Sequence, residues 1–88
     1  MRLKNAKAWA VYVLRCRDGS LYTGIAKDPA ARLAVHNAGK GAAYTRSRRP
    51  AALVFVREGF SRSDALSLEA RLKTLDRAEK ESLLLGAR

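Results

Sequence analysis

Five side chains in this 88-residue chain have the types and spacing to cleave a phosphodiester: Tyr12, Tyr22, Arg32, His36 and Glu69. A carboxylate holds a hard divalent cation that keeps open water positions. Such a cation polarises a phosphate and stabilises the leaving oxygen. A guanidinium neutralises the charge that develops there. A phenol or an imidazole takes a proton from the attacking water. Each residue also has a plainer reading. Tyrosine is a good strand residue, and Arg32 and His36, four apart, fit one face of a solvated helix. Glu69 has structural partners within reach in Lys73 and Arg71. A lone histidine builds no histidine metal site. The conjunction is what points to chemistry.

The elements that must position these groups can be read in order. Trp9 to Gly24 is a β-hairpin: a first arm to Cys16 rich in β-branched and aromatic residues, Asp18-Gly19 between, and a short second arm from Ser20 to Ile25. A two-residue turn would send the tyrosines to opposite faces. A three-residue turn, Arg17-Asp18-Gly19 with Gly19 left-handed, opposes Cys16 to Ser20, Tyr12 to Gly24 and Leu14 to Tyr22. The tyrosines are then diagonal neighbours on one face, and this register is the one expected. Gly24 would leave room beside Tyr12 for a ligand to approach the backbone.

Asp28 and Pro29 predict a helix start, and Gly39 its stop, so that Pro29 to about Asn37 or Ala38 is helical. Leu33 with Ala30, and Val35 with Ala31, would give it apolar contacts. Gly39 to Pro50 reads as a loop. Its Lys40, Arg46, Arg48 and Arg49 can hold phosphates, and Tyr44 can stack on a base, although an exposed basic loop need have no dedicated role. Ala51 to Glu58 reads as a third strand, its nearly continuous apolar run suggesting cover on parts of both faces. Ser61 with Asp64 opens another helix with a buried stripe of Ala65, Leu68, Leu72 and Leu75, and Glu69 on its border. Asp76 with Glu79 opens the last helix, with Ala78 and Leu83 to Leu85 inward and an end at Gly86. The order is β-β-α-β-α-α, an α+β domain whose small antiparallel three-stranded sheet is covered by helices.

Placed on these elements, the sequence resembles the GIY-YIG endonuclease superfamily, above all its small stand-alone bacterial members. Val11-Tyr12-Val13 corresponds to the first signature tripeptide and Tyr22-Thr23-Gly24 to the second. Arg32 follows the second tyrosine by ten residues, His36 lies one helical turn further, and Glu69 sits on the helix after the third strand. A Gly-Lys-Gly loop followed by Tyr-Thr-Arg and a proline adds to the likeness, which spans about residues 8 to 85. The resemblance implies a metal-dependent DNA endonuclease, with DNA repair as its setting. It implies that Glu69 is the sole protein ligand of one Mg²⁺ or Mn²⁺. Tyr22 is then the general base, Tyr12 positions water or a phosphate oxygen, and Arg32 contacts the scissile phosphate. His36 stands where some relatives carry tyrosine, and would relay a proton or orient Tyr22. A phenol ordinarily titrates near 10, so the base role calls for a cation nearby, and Lys27 and Arg15 are candidates. Larger members carry a late asparagine near the position of Glu81 here.

Composition is consistent with this reading. The net charge of +10 points to a polyanionic partner, nucleic acid before a merely basic surface. Residues 1 to 7 read as a frayed basic leader. The lone Cys16 excludes an internal disulfide and reads as a packed strand residue. Neither a signal peptide nor a membrane span is legible, which makes the cytosol the default. One domain spanning residues 1 to 88 has little surface for reading a long sequence, so selectivity for single-stranded or branched DNA is expected over sequence specificity, with DNA favoured over RNA. The competing readings are a catalytically silent nucleic-acid-binding module and a nuclease subunit that needs a protein partner.

Overall fold

The computed structural model describes residues 7–86, so the expected leader lies almost wholly outside the described residues. Strands β1 (Trp9–Arg15) and β2 (Leu21–Ala26) form the hairpin, in the register of the three-residue turn. Tyr12 pairs with Gly24 and Leu14 with Tyr22. Cys16 N–H donates to Ser20 O at 2.8 Å, and Gly19 takes the left-handed φ of 87° that closes the turn.

Helix α1 (Pro29–Asn37) follows, with the Asp28 carboxylate accepting from Ala31 N–H and Pro29 in the first turn. It stops in a Schellman motif. Gly39 at φ 82° donates to His36 O and Lys40 donates to Val35 O. The expected loop contains one unexpected turn of helix, α2 (Ala43–Arg46). Its signal was masked by the glycines and basic residues around it. Strand β3 (Ala52–Phe60), helix α3 (Arg62–Lys73) capped by Ser61, and helix α4 (Arg77–Gly86) complete the chain. Asp76 and Glu79 bond each other's backbone N–H groups at 2.8 and 2.9 Å, the expected capping box.

The sheet is open and antiparallel in the order β2-β1-β3. The strand covered on both faces is therefore β1, whose five central residues are all buried. The expected cover on parts of both faces of β3 is present, since Phe55 packs into the core on one face and Leu53 against Tyr12 and Leu14 on the other, yet β3 is an edge strand with Val54 and Val56 38% and 39% exposed. Two β3 residues stand against single β1 positions at irregularities on either side of Val11–Val13, which bends β3 away. One sheet face carries Val11, Val13 and Phe55 against Ala65, Leu72 and Leu84 of α3 and α4. The other carries Tyr12 and Leu14 with Ala26 and Ala51, and Leu33 of α1 packs on it. Each fully buried Val or Leu of β1 contributes roughly 1.5–3 kcal/mol, so the hairpin is the most firmly held part of the site. Within α4 the inward residues are Leu83 and Leu84. Ala78 is exposed and Leu85 is 68% exposed, against expectation, since the face that α4 packs on the core carries Leu83 and Leu84. Likewise Ala30 and Ala31 are exposed, and Leu75 follows the end of α3 while still packing on the core.

Candidate active site

The hairpin register brings Tyr12 and Tyr22 to one face, and α1 lies across that face so that His36 reaches between them. The Tyr12 hydroxyl lies 3.1 Å from His36 Nε2, and His36 Nδ1 lies 2.8 Å from Thr45 Oγ1. The directions of these bonds follow from the far end. Thr45 Oγ1 donates its only proton to Ala42 O at 3.0 Å, so it must accept from Nδ1–H. Nε2 of the neutral ring is then the acceptor, and Tyr12 donates to it. Burial, helped by the Arg32 charge, lowers the proton affinity of His36 below its ordinary value, which keeps the ring neutral. His36 is fully buried, which rules out the solvated-face reading, while Arg32 one turn earlier is exposed.

Two glycines make this line of bonds possible. A side chain at Gly24 would place its Cβ 2.6 Å from the Tyr12 hydroxyl. The space left by Gly24 is thus filled by the Tyr12 ring and not open to a ligand, correcting the expectation. A Cβ at Gly41 would collide with the His36 ring. Sequence reading missed Gly41 and Thr45 as parts of the site. The only signal for them was the Gly-Lys-Gly and Tyr-Thr-Arg context.

Burial first, then Tyr22 and more weakly the Glu69 carboxylate, raise the Tyr12 phenol above its ordinary value, against a downward pull from Arg32. Tyr22, Arg32 and Glu69 are thus near enough to act on the Tyr12 phenol, and Arg32 acts on His36 as well. The Tyr22 ring meets His36 edge-on with centroids 5.2 Å apart, and stacks on Tyr44 at 6.1 Å. Glu69, with its side chain 18% exposed, pairs with Lys73 Nζ at 3.3 Å, the nearer of the two partners considered.

Of the basic loop, Arg48 lies over the Tyr44 ring at 4.0 Å, donates to Tyr44 O, and pairs with Asp18 at 3.1 Å. Arg49 donates to Arg46 O and Asn37 O. These contacts make the loop a strap that holds α2, and with it Thr45, in place. Lys40 and the Arg46 side chain have no hydrogen-bond or ion-pair partner among the described residues. Arg15 is committed to a two-pronged bond with Glu81 at 2.9 and 2.7 Å, and Lys27 lies over the Trp9 ring. Neither therefore serves as the cation beside Tyr22. The lysines that line the recess beside that phenol are Lys73 and Lys80.

No group of three or more His, Cys, Asp and Glu that could enclose a metal occurs among the described residues. Among the described residues, the carboxylate that acts on the Tyr12 phenol is Glu69. That donor set fits Mg²⁺ or Mn²⁺, which keep most of their waters, and not a four-ligand zinc centre. The Lys73 ammonium beside Glu69 shows that its carboxylate has room for a positive group on that side. No described helix is long and apolar enough to cross a membrane.

A family model for the GIY-YIG catalytic domain matches residues 8–82. A UPF0213 protein of Streptococcus pneumoniae is 50% identical over 74 residues, covering 84% of this chain and 75% of its own length. A UPF0213 protein of Staphylococcus haemolyticus is 46% identical over 74 residues, covering 84% and 90%. Two solution structures are also similar. A UPF0213 protein of Bacillus halodurans has 43% identity and a TM-score of 0.56, covering 86% of this chain and 81% of that one. A protein of E. faecalis has 40% identity and a TM-score of 0.58, covering 88% and 83%.

Proposed function

The chain belongs to the GIY-YIG catalytic-domain family, and from that premise we propose that it is a nuclease hydrolysing phosphodiester bonds with Mg²⁺ or Mn²⁺, on single-stranded or branched DNA in preference to duplex. The observation that carries this reading is the Thr45–His36–Tyr12 line of hydrogen bonds, which ends at a pair of tyrosines beside an arginine and one carboxylate. A binding surface has no need to bury a histidine whose two nitrogens are both spoken for.

Tyr12 donates its O–H hydrogen bond to Nε2, so its oxygen presents lone pairs and no proton to the substrate side. That suits orienting the attacking water, while its raised proton affinity keeps it un-ionised. Tyr22, closer to solvent, accepts the proton of that water in its phenolate form and returns to the phenol. His36 holds Tyr12 from behind and packs on Tyr22, and so fixes the separation of the two phenols. Arg32 neutralises the phosphate at the reacting centre. Glu69 would hold the cation, which when bound polarises the phosphate and stabilises the leaving oxygen. Lys73 keeps the carboxylate paired in its absence.

Labelled single-stranded, duplex and flap DNA, and RNA, incubated with Mg²⁺, with Mn²⁺ and with EDTA, test this reading. We expect metal-dependent cleavage of single-stranded or flap DNA, lowered at least ~10²-fold in Glu69→Ala and Tyr22→Phe. Binding without cutting in every condition, unaltered by Glu69→Ala, would sink the nuclease reading and favour a silent binding module.

A further inference from the structure

Beside Tyr22, away from the Thr45–His36–Tyr12 line, two adjoining cavities of about 240 and 200 Å³ share Leu21, Tyr44 and Lys80 in their walls, and so form one trough. The nearer cavity also touches Lys73, the partner of Glu69, and Thr23, whose buried hydroxyl has no hydrogen-bond partner among the described residues. The farther one runs over Leu75 to Arg77. Its apolar surfaces come from Leu21 and Leu75, both half-buried, and its positive groups from Lys73, Lys80 and Arg77. No acidic residue lines it.

Lys80 is the informative member. It lines both cavities, is itself half-buried, and its ammonium has no carboxylate partner among the described residues. With its stem packed along the trough and no acidic residue in the walls, its ammonium is open to an incoming anion. An apolar bed under such a cation suits a group that is flat and apolar on its face and anionic at its edge.

We propose that this trough is a nucleotide subsite, which takes one unpaired base on Leu21 and Leu75 with Tyr44 as its side wall, and the neighbouring phosphate on Lys80. This deepens the nuclease reading and rests on it in one respect: that the strand continues from the trough to Tyr22. Each cavity is smaller than the ~300 Å³ at which pockets begin to enclose a whole small molecule, so a single ring on a strand that passes through fits better than a free ligand. A base stacked and paired within a duplex cannot enter without first being extruded. The trough therefore selects unpaired nucleotides, and gives the expected preference for single strands and flaps a physical cause. The Gly39–Pro50 segment is then joined as substrate track by residues of β2, the end of α3, the α3–α4 connection and α4.

Fluorescence anisotropy of the full chain in EDTA, where nothing is cut, tests the subsite apart from catalysis. The probes are a labelled single-stranded DNA of about eight nucleotides, matched in scale to known single-strand sites, its RNA counterpart, and the same sequence as a blunt duplex. Lys80→Glu is compared with Arg71→Glu, which makes the same change of charge on exposed α3 surface outside the trough. Leu75→Ala keeps the charge. Thermal midpoints establish that each variant is folded, and Lys80→Glu carries the test alone if Leu75→Ala is not. We expect Lys80→Glu to weaken single-strand binding by about tenfold more than Arg71→Glu does, and Leu75→Ala to weaken it by about fivefold, with duplex binding equal in the two charge variants. The stronger of the DNA and RNA probes identifies the sugar. Equal effects of Lys80→Glu and Arg71→Glu on the single strand, or no single-strand binding by the wild type, overturn the subsite. Trough-dependent binding by a protein that cuts nothing in Mg²⁺ or Mn²⁺ would leave the subsite standing and remove the nuclease reading.

Discussion

Gly24 illustrates how much of the site depends on what is missing from a side chain. Tyr12 reaches His36 only because its ring lies over a bare backbone, with a Cβ position 2.6 Å from the hydroxyl. The ring is 2% exposed and has nowhere to retreat. Gly24→Ala should therefore cost about 1–3 kcal/mol by overpacking, read from urea unfolding, and should reduce cleavage more than it reduces DNA binding. An unchanged cleavage rate in a folded Gly24→Ala protein would show that the Tyr12–His36 bond is dispensable. His36 supplies a second test. Its folded-state proton affinity lies below the ordinary 6.5 because of burial and Arg32, so as pH falls the unfolded chain takes the proton first. Stability is complete above about pH 6.5 and declines below it. Urea midpoints measured from pH 7.5 to 5.5 should fall in the wild type and stay flatter in His36→Gln. Parallel curves would mean that His36 is not held neutral.

At the scale of elements, the surprise is which strand bears the load. Both β1 and β3 have long apolar runs, and composition does not rank them. The sheet order does, placing β1 in the middle and β3 at an edge. Adjacent β3 residues should then differ sharply on substitution. Phe55→Ala, inside the core cluster, is expected to cost about 3–5 kcal/mol, and Val54→Thr, 38% exposed, within about 0.5 kcal/mol. Denaturant titration of the two variants checks the pair; comparable losses would contradict the edge position of β3. Helix α1 is better defined by its own residues, since Asp28, Pro29 and Gly39 mark its ends without help from the fold. The Asn37 amide bonds Ala51 N and O at 2.7 and 3.0 Å and fastens the helix end to the chain entering β3.

The molecule as a whole carries +10, and that charge sets affinity before any base is read. Binding of a single strand should weaken with salt along a slope of about 0.7 per phosphate contacted. Arg46, exposed and without a partner among the described residues, should contribute one such contact. Arg46→Ala is expected to lower the slope by about 0.7 and leave the preference for single strand over duplex unchanged. The measurement is anisotropy across a salt series, and a changed preference would move Arg46 from general attraction to selective recognition. Replacing Lys80, which takes a phosphate in the trough, is expected to lower the slope by a similar amount and to change the preference as well.

What the amino-acid sequence determined by itself was everything governed by local spacing. The three-residue turn Arg17-Asp18-Gly19 and the alternation of its arms set the hairpin register, and with it the shared face of Tyr12 and Tyr22. The four-residue step from Arg32 to His36 put both on one side of a helix. The signature tripeptides, Arg32 and Glu69 together made the family legible. Tertiary structure decided the rest, because it depends on groups far apart in the chain. Helical spacing cannot say whether His36 looks to water or to the sheet; packing of α1 on the Tyr12 face buried it. Thr45 and Gly41 acquired roles only when the loop folded back over that histidine. Arg15 and Lys27 were drawn to Glu81 and Trp9, while Lys73 and Lys80 arrived beside Tyr22 from a segment some fifty residues further along the chain. Local propensity fixes which way a side chain leaves its own element, and only the contacts between elements settle what it meets there.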